Sequence, residues 1–469
     1  ATELERAVGD RRDEFAEVLA HHAERAFALS AEVRAQPDVL MDRARRALDR
    51  ALALGDRALR REDLGLLASN AAVSAAALAA LGERATPEDR ARTALLEAER
   101  LRLSGDFGAA LPAFGRAIEL ADAAGRADVA AWAHLGSARV FVLAGDFDET
   151  PITEFDGHLS EAARLFTAGG DGGAAVETGI VDLERYWASG ELSVMLERGA
   201  ALLGRARSLG DRPREMLLAA RLVGAAGVSG QRELADEYLG IADGIAASDG
   251  LRVPFWVRAA RCQLHAVRGD TEAAIACQVR LHAEAVAEHD PVLEIATLRN
   301  AAENLLELGR IADAQPLLEQ GLALSVRMGE LWNRTELTAD LGVVAAELGD
   351  HDRAQRLIAE ARELQRATDR FAVAFVCYSA GRVHQAVALV PEAYAQYRMA
   401  LDLMSRTEYH VPKSWMQLRT IEFLLRNERL DEARREFELA EPFLDGTIGD
   451  VGRRVAAIRG ALASSRTPG

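Results

Sequence analysis

Between Pro291 and Arg370 the chain contains one unit twice: LEIATLRNAAENLLELGRIADAQPLLEQGLALSVRMG, then NRTELTADLGVVAAELGDHDRAQRLIAEARELQRATD. Gly309 and Gly349 stand 40 residues apart, as do Ala314 and Ala354. Each unit reads as two helices with apolar residues at three- and four-residue spacing, so each has a stripe that it cannot cover alone. A fixed period of this length marks stacked helical repeats, which grow by adding neighbours rather than by enlarging one core. The 469 residues therefore imply no particular number of globular domains.

From Pro87 onward the unit recurs. Helix-to-helix turns fall at Gly105, Gly145, Gly190, Gly230, Gly269, Gly309 and Gly349, then near Ala388 and Glu428. Glycine suits the left-handed position that ends a helix, and the aspartate that follows it at 106, 146, 270 and 350 can cap the next. Asp211-Arg212-Pro213 and Asp290-Pro291 punctuate the chain between repeats, with proline opening a helix where no amide donor is needed. The one long interval holds FDETPITEFDGHLS, Phe147 to Ser160, read as a solvated insertion; its acids do not have the alternate spacing of an EF-hand loop.

Five residues after most turns stands an alanine: Ala110, Ala235, Ala274, Ala314, Ala354, Ala393 and Ala433. An aromatic follows at Phe114, Tyr397 and Phe437, then alanine at Ala117, Ala400 and Ala440. This pattern after a Gly-Asp turn resembles the tetratricopeptide repeat, stretched to 40 residues. The resemblance implies an all-α, right-handed superhelix of about ten antiparallel helix pairs.

Composition narrows the chemistry. The net charge of −17 argues against a nucleic-acid surface, and Lys413 is the single lysine, in a context that fits neither a phosphate-binding loop nor a Schiff base. Cys262, Cys277 and Cys377 lie in apolar helical stretches and read as reduced core residues of a cytoplasmic protein. The longest apolar run, Ala71 to Leu81, is too short to span a bilayer. His21-His22 lacks zincin spacing, and His282 with His289 reads as a helix end. No catalytic signature, cofactor motif or metal site emerges.

Counting back from the turns by the family's pattern puts Trp132, Trp256 and Trp415 on the helix row that lines a concave groove, with Gln263, Arg299, Tyr378 and Arg382. Counting from Leu135-Gly136, which resembles the family's Leu-Gly pair, places Trp132 in a buried packing position instead. Both registers stay open. A groove mixing aromatics with arginine suits a protein segment, a peptide or a small polar effector.

Near the start, DEFAEVLAHHAERAF resembles the helix that follows the ATPase and winged-helix part of large bacterial signalling ATPases, often joined to nucleotide cyclases or LuxR-type domains. The resemblance implies a helical tail over residues 1–36, a degenerate first pair over 37–86, the array over 87–446, and a capping helix with a disordered end over 447–469. It also implies a non-catalytic sensor that controls an attached signalling module. The alternative is a free-standing scaffold for protein assembly.

Overall fold

A computed structural model describes residues 15–61, 64–144, 149–249, 255–446 and 450–464. Among these, the regular structure is 22 α-helices and two short 3-10 turns, with no strand. They form two compact units, one of residues 1–141 and 153–171, the other of 142–152 and 172–469.

The first unit runs α1 (Ala16–Glu32), α2 (Pro37–Arg61), α3 (Leu64–Leu81), α4 (Pro87–Leu103), α5 (Phe107–Ala123), most of α6 (Ala127–Ala144) and most of α7 (Glu149–Ala168). Leu48, Leu52, Leu67 and Leu96 are buried together in its core. The stretch Leu64–Arg84 is long and apolar enough to cross a membrane by length and composition, which the apolar-run reading did not anticipate. In the structure its Leu67, Ala71, Ala77 and Leu81 are buried in that core. The acidic stretch expected as a solvated insertion is helical from Glu149 onward, with Phe155 and Leu159 buried. Spacing from Phe155 to Leu159, Ala162 and Phe166 gives it an apolar stripe, and that stripe outweighs the loop-like acids. Asp146 and Asp148 lie outside the described residues.

The second unit continues as hairpins: α8 (Gly172–Ser189) with α9 (Leu192–Ser208), α10 (Arg212–Val228) with α11 (Arg232–Asp249), α12 (Phe255–Val267) with α13 (Thr271–Glu288), and α14 (Pro291–Glu307) with α15 (Ile311–Met328). Then come α16 (Trp332–Glu347) with α17 (His351–Leu364), α18 (Arg370–Ala386) with α19 (Val390–Met404), α20 (His410–Arg426) with α21 (Leu430–Ala440), and a last helix α22 (Val451–Ser464).

The described turns are where the sequence puts them; Gly145 lies outside the described residues. Gly105, Gly190, Gly230, Gly269, Gly309 and Gly349 all have positive φ, as do Ala388 and Glu428, which adopt the same left-handed backbone without glycine. Asp106, Asp270 and Asp350 each accept the amide three residues on, as do Asp211, Asp290 and Asp369 between hairpins. The alanines five residues past the turns are all fully buried. Such a position has no room for more atoms. Ala354→Leu is expected to destabilise the second unit by about 1–3 kcal/mol through overpacking, whereas Glu363→Ala on the exposed side of α17 should leave thermal melting nearly unchanged. Equal effects at the two positions would mean that the hairpin phase is wrong.

The cysteines are a correction. Cys262 on α12 and Cys277 on α13 form a disulfide, with Cα atoms 5.3 Å apart, while Cys377 is free and buried. A hairpin turned at Gly269 places residues 262 and 277 opposite one another, which the helix-by-helix reading of reduced core thiols overlooked.

The second unit also meets itself. The Glu408 amide donates to the Gly190 carbonyl at 2.9 Å, and the Ser193 amide and hydroxyl donate to the Glu408 carboxylate at 2.6 and 2.7 Å. The Tyr409 hydroxyl donates to the Trp187 carbonyl, and the two rings stand edge to face at 5.6 Å. Gly190 is needed twice over: its φ is +75°, and a Cβ there would lie 2.6 Å from that of Thr407. The α8–α9 turn is thereby fastened to the α19–α20 connection.

Candidate functional site: a charged wall on the first helices of the hairpins

In each hairpin of the second unit the first helix carries residues 13, 9 or 10, 6 and 2 positions before its turn on one face, since these offsets are one helical turn apart. On α14 these are Arg299, Asn300, Glu303 and Glu307; on α16 they include Glu336 and Asp340; on α18, Tyr378 and Arg382; on α20, Trp415, Arg419 and Glu422. These faces turn toward one another. Arg419 on α20 donates to Glu307 on α14 at 2.8 Å across 112 residues of sequence, and Arg454 on α22 holds Glu422 through two bonds at 2.7 and 2.9 Å. The row is the inside of a curve.

Arg299 forms an ion pair with Glu336 on the next first helix and donates to Asn300 at 2.7 Å. Glu336 is 2% exposed, and burial pushes its carboxyl up to about 8 although Arg299 pulls the other way. Asp340, also 2% exposed, is pushed up to about 7 by burial and by Glu303, against the pull of Arg382 and Arg299. Burial likewise raises Glu330 to about 7, offset by the Asn333 amide at 2.8 Å, and Asp369 to about 6. Glu303 keeps 39% of its side-chain surface, and burial together with Glu307 raises its carboxyl against the pull of Arg299 and Arg382.

Among the residues singled out from sequence, Arg299, Tyr378 and Arg382 share this cluster, linked through Glu303, Glu307 and Asp340. Tyr378 and Arg382 are buried, and Trp415 is half-buried against the apolar core. Gln263 lies half-buried on α12 beside Gly224 of α10. Trp132 belongs to the first unit, where it is buried edge to face on Phe166 at 5.3 Å. The side chain of Trp256 lies outside the described residues. Sequence reasoning passed over Glu303, Glu307, Glu336, Asp340 and Arg419. A signal for two of them existed: Glu336 and Asp340 are the only charges between Thr335 and Ala346, a stretch of α16 buried on every side.

No family model matches the chain, and comparison with curated proteins finds no match. Solved structures do match. A Rap protein complexed with Competence and Sporulation Factor is 13% identical, with 81% of this chain and 100% of that chain covered at a TM-score of 0.54. The fold is that of a tetratricopeptide-type helical array. Aspartyl phosphate phosphatase F from Bacillus subtilis is 13% identical, covering 75% of this chain and 92% of its own at a TM-score of 0.44. A signal transduction ATPase with a tetratricopeptide repeat sensor from Pyrococcus horikoshii is 15% identical over 83% of this chain and 56% of its own, at 0.43.

Proposed function

We propose that the chain is a non-catalytic regulatory array that holds a peptide segment or small polar effector against the charged wall of α14, α16, α18 and α20, and passes that binding on to an attached signalling module. One observation carries the reading: ionisable side chains gathered at the inside of a curve, several of them still open to water. Glu303 and Glu307 keep 39% and 36% of their side-chain surface, so solvent, and hence a ligand, reaches them. Stability alone gives little reason to assemble such a wall, because buried ion pairs contribute no more than well-packed apolar residues would. The Rap protein's array, complexed with Competence and Sporulation Factor, is a precedent for a bound factor on this fold. The resemblance of DEFAEVLAHHAERAF to the segment after a signalling ATPase supports the attached module, and a cytoplasmic setting goes with that reading.

The test is to pan the full chain against a random-peptide library. Enriched peptides should compete with one another, and Glu303→Arg should weaken them by about tenfold or more, the loss expected when a contact at the centre of an interface is replaced by repulsion. Glu303→Gln, which removes the charge without adding a cation beside Arg299 and Arg382, with melting recorded beside affinity, separates loss of binding from loss of fold. Peptides that bind equally well to the Glu303→Arg variant would move the site elsewhere.

A further inference from the structure

Two buried side chains on the wall have hydrogen-bonding capacity left unmet. Arg382 on α18 is 8% exposed and makes no hydrogen bond or ion pair among the described residues. Asp340 on α16 is 2% exposed, and its Oδ2 has no hydrogen-bond partner. Their neighbours are already engaged, Arg299 with Glu336 and Arg419 with Glu307. Arg382 and Asp340 feel each other's charge yet stand too far apart to pair. An arginine cannot shed its proton, so leaving it buried and unpaired carries a penalty that a bound anion would remove.

We propose that the wall where α14, α16 and α18 present Glu303, Asp340 and Arg382 is a receptor site for a free α-amino acid, with its carboxylate on Arg382 and its ammonium on Asp340 and Glu303. The inference rests on the wall being the binding surface and names the chemistry it takes. Guanidinium and carboxylate are both planar forks and meet through two parallel hydrogen bonds. The Tyr378 hydroxyl, whose charged neighbours are Arg419, Glu307 and Arg382, makes no hydrogen bond among the described residues and would add a donor to the same carboxylate. Asp340 and Glu303 together would repel a phosphate or a dicarboxylate, so a plain anion is disfavoured. A ligand that satisfies both ends must carry opposite charges a few bonds apart. Within a peptide chain the two termini are separated by the intervening residues, whereas an α-amino acid holds both charges on one carbon.

Calorimetry on the full chain with each proteinogenic amino acid, its carboxamide and its N-acetyl form tests this without any substitution. At least one free amino acid should bind, and both blocked forms of it should bind about tenfold more weakly or not at all. Arg382→Gln should abolish binding and Arg382→Lys should retain part of it, with the melting of each variant recorded beside its affinity. Absence of binding by every amino acid, equal binding of the carboxamide, or undiminished binding by a folded Arg382→Gln protein would each overturn the assignment. If amino acids fail while panned peptides still bind in a Glu303-dependent way, this site is refuted and the regulatory reading stands. If both fail, both are refuted.

Discussion

Arg299→Ala is expected to destabilise the second unit more at pH 9 than at pH 6, by up to about 1.4 kcal/mol, the most that linkage allows one pH unit above a folded carboxyl at about 8. The pair joins α14 to α16, so it sits between adjacent hairpins rather than inside one. Glu336 is 2% exposed, and even with Arg299 present its carboxyl is pushed up to about 8 by burial. Its folded pKa lies above the unfolded value, so its contribution is fully present below about pH 4.5 and is lost as pH rises through the folded value. Removing Arg299 lifts the folded pKa further, which steepens the loss between pH 7 and 9. Below pH 6 the acid keeps its proton in either protein and the two converge. Urea denaturation across that range checks this, with Glu336→Gln and the double variant completing a cycle. A pH-independent loss, or a cycle with no coupling, would show that Arg299 acts through packing alone.

Acidification should move the two units in opposite directions. In the second unit, Glu330, Glu336, Asp340 and Asp369 are raised to about 7, 8, 7 and 6 by burial. Each binds its proton more tightly folded than unfolded, so lowering the pH from 8 to 5 stabilises that unit. The first unit carries His134 and His158, whose Nδ1 atoms are 2.9 Å apart. Burial pushes His158 down to about 4, with His134 adding to the shift, and burial lowers His134 as well. A depressed histidine contributes stability that is present above about pH 6.5 and is lost as pH falls through the folded value. By linkage, and after discounting for the solvent that screens its partly exposed ring, His158 alone costs the first unit on the order of 1 kcal/mol at pH 5. Hydrogen exchange resolved by segment should show slower exchange in α14–α18 and faster exchange in α6–α7 at pH 5 than at pH 8, after correction for the intrinsic rate. A shift of both in the same direction would contradict the assignment.

The hairpin scaffold was legible because it rests on local chemistry. Gly349-Asp350 signals a turn within a few residues, and Ala354 reports a close contact inside its own hairpin. Ala388 and Glu428 were found only through the period, since their side chains give no sign of left-handed backbone. The partners of the charged wall were not legible. Arg299 was visible on its row, but its engagement with Glu336 depends on how adjacent hairpins stack, and that of Arg419 with Glu307 on how several stack in succession. The disulfide was missed for a related reason. Cys262 and Cys277 were each matched to a helix face, while the pairing is a property of two faces across one turn. Composition misled at Glu149–Ser160, a helix anchored by Phe155 and Leu159 with Glu154 on its exposed side.

The fastening of Gly190 to Glu408 limits how this chain can change length. In an open array each repeat touches only its neighbours, so a whole repeat can be gained or lost and the remainder closes ranks. Here the segment from 190 to 408 begins and ends at one joint. Excising the hairpin of α14 and α15 would leave every surviving turn and alanine intact, yet it would bring the Glu408 connection up short by about the width of a helix pair, on the order of 10 Å per helix. Duplicating that hairpin would overshoot by as much. Repeat number, the quantity that such proteins vary most freely, is therefore fixed between these two residues, and length variation is confined to the helices outside the joint.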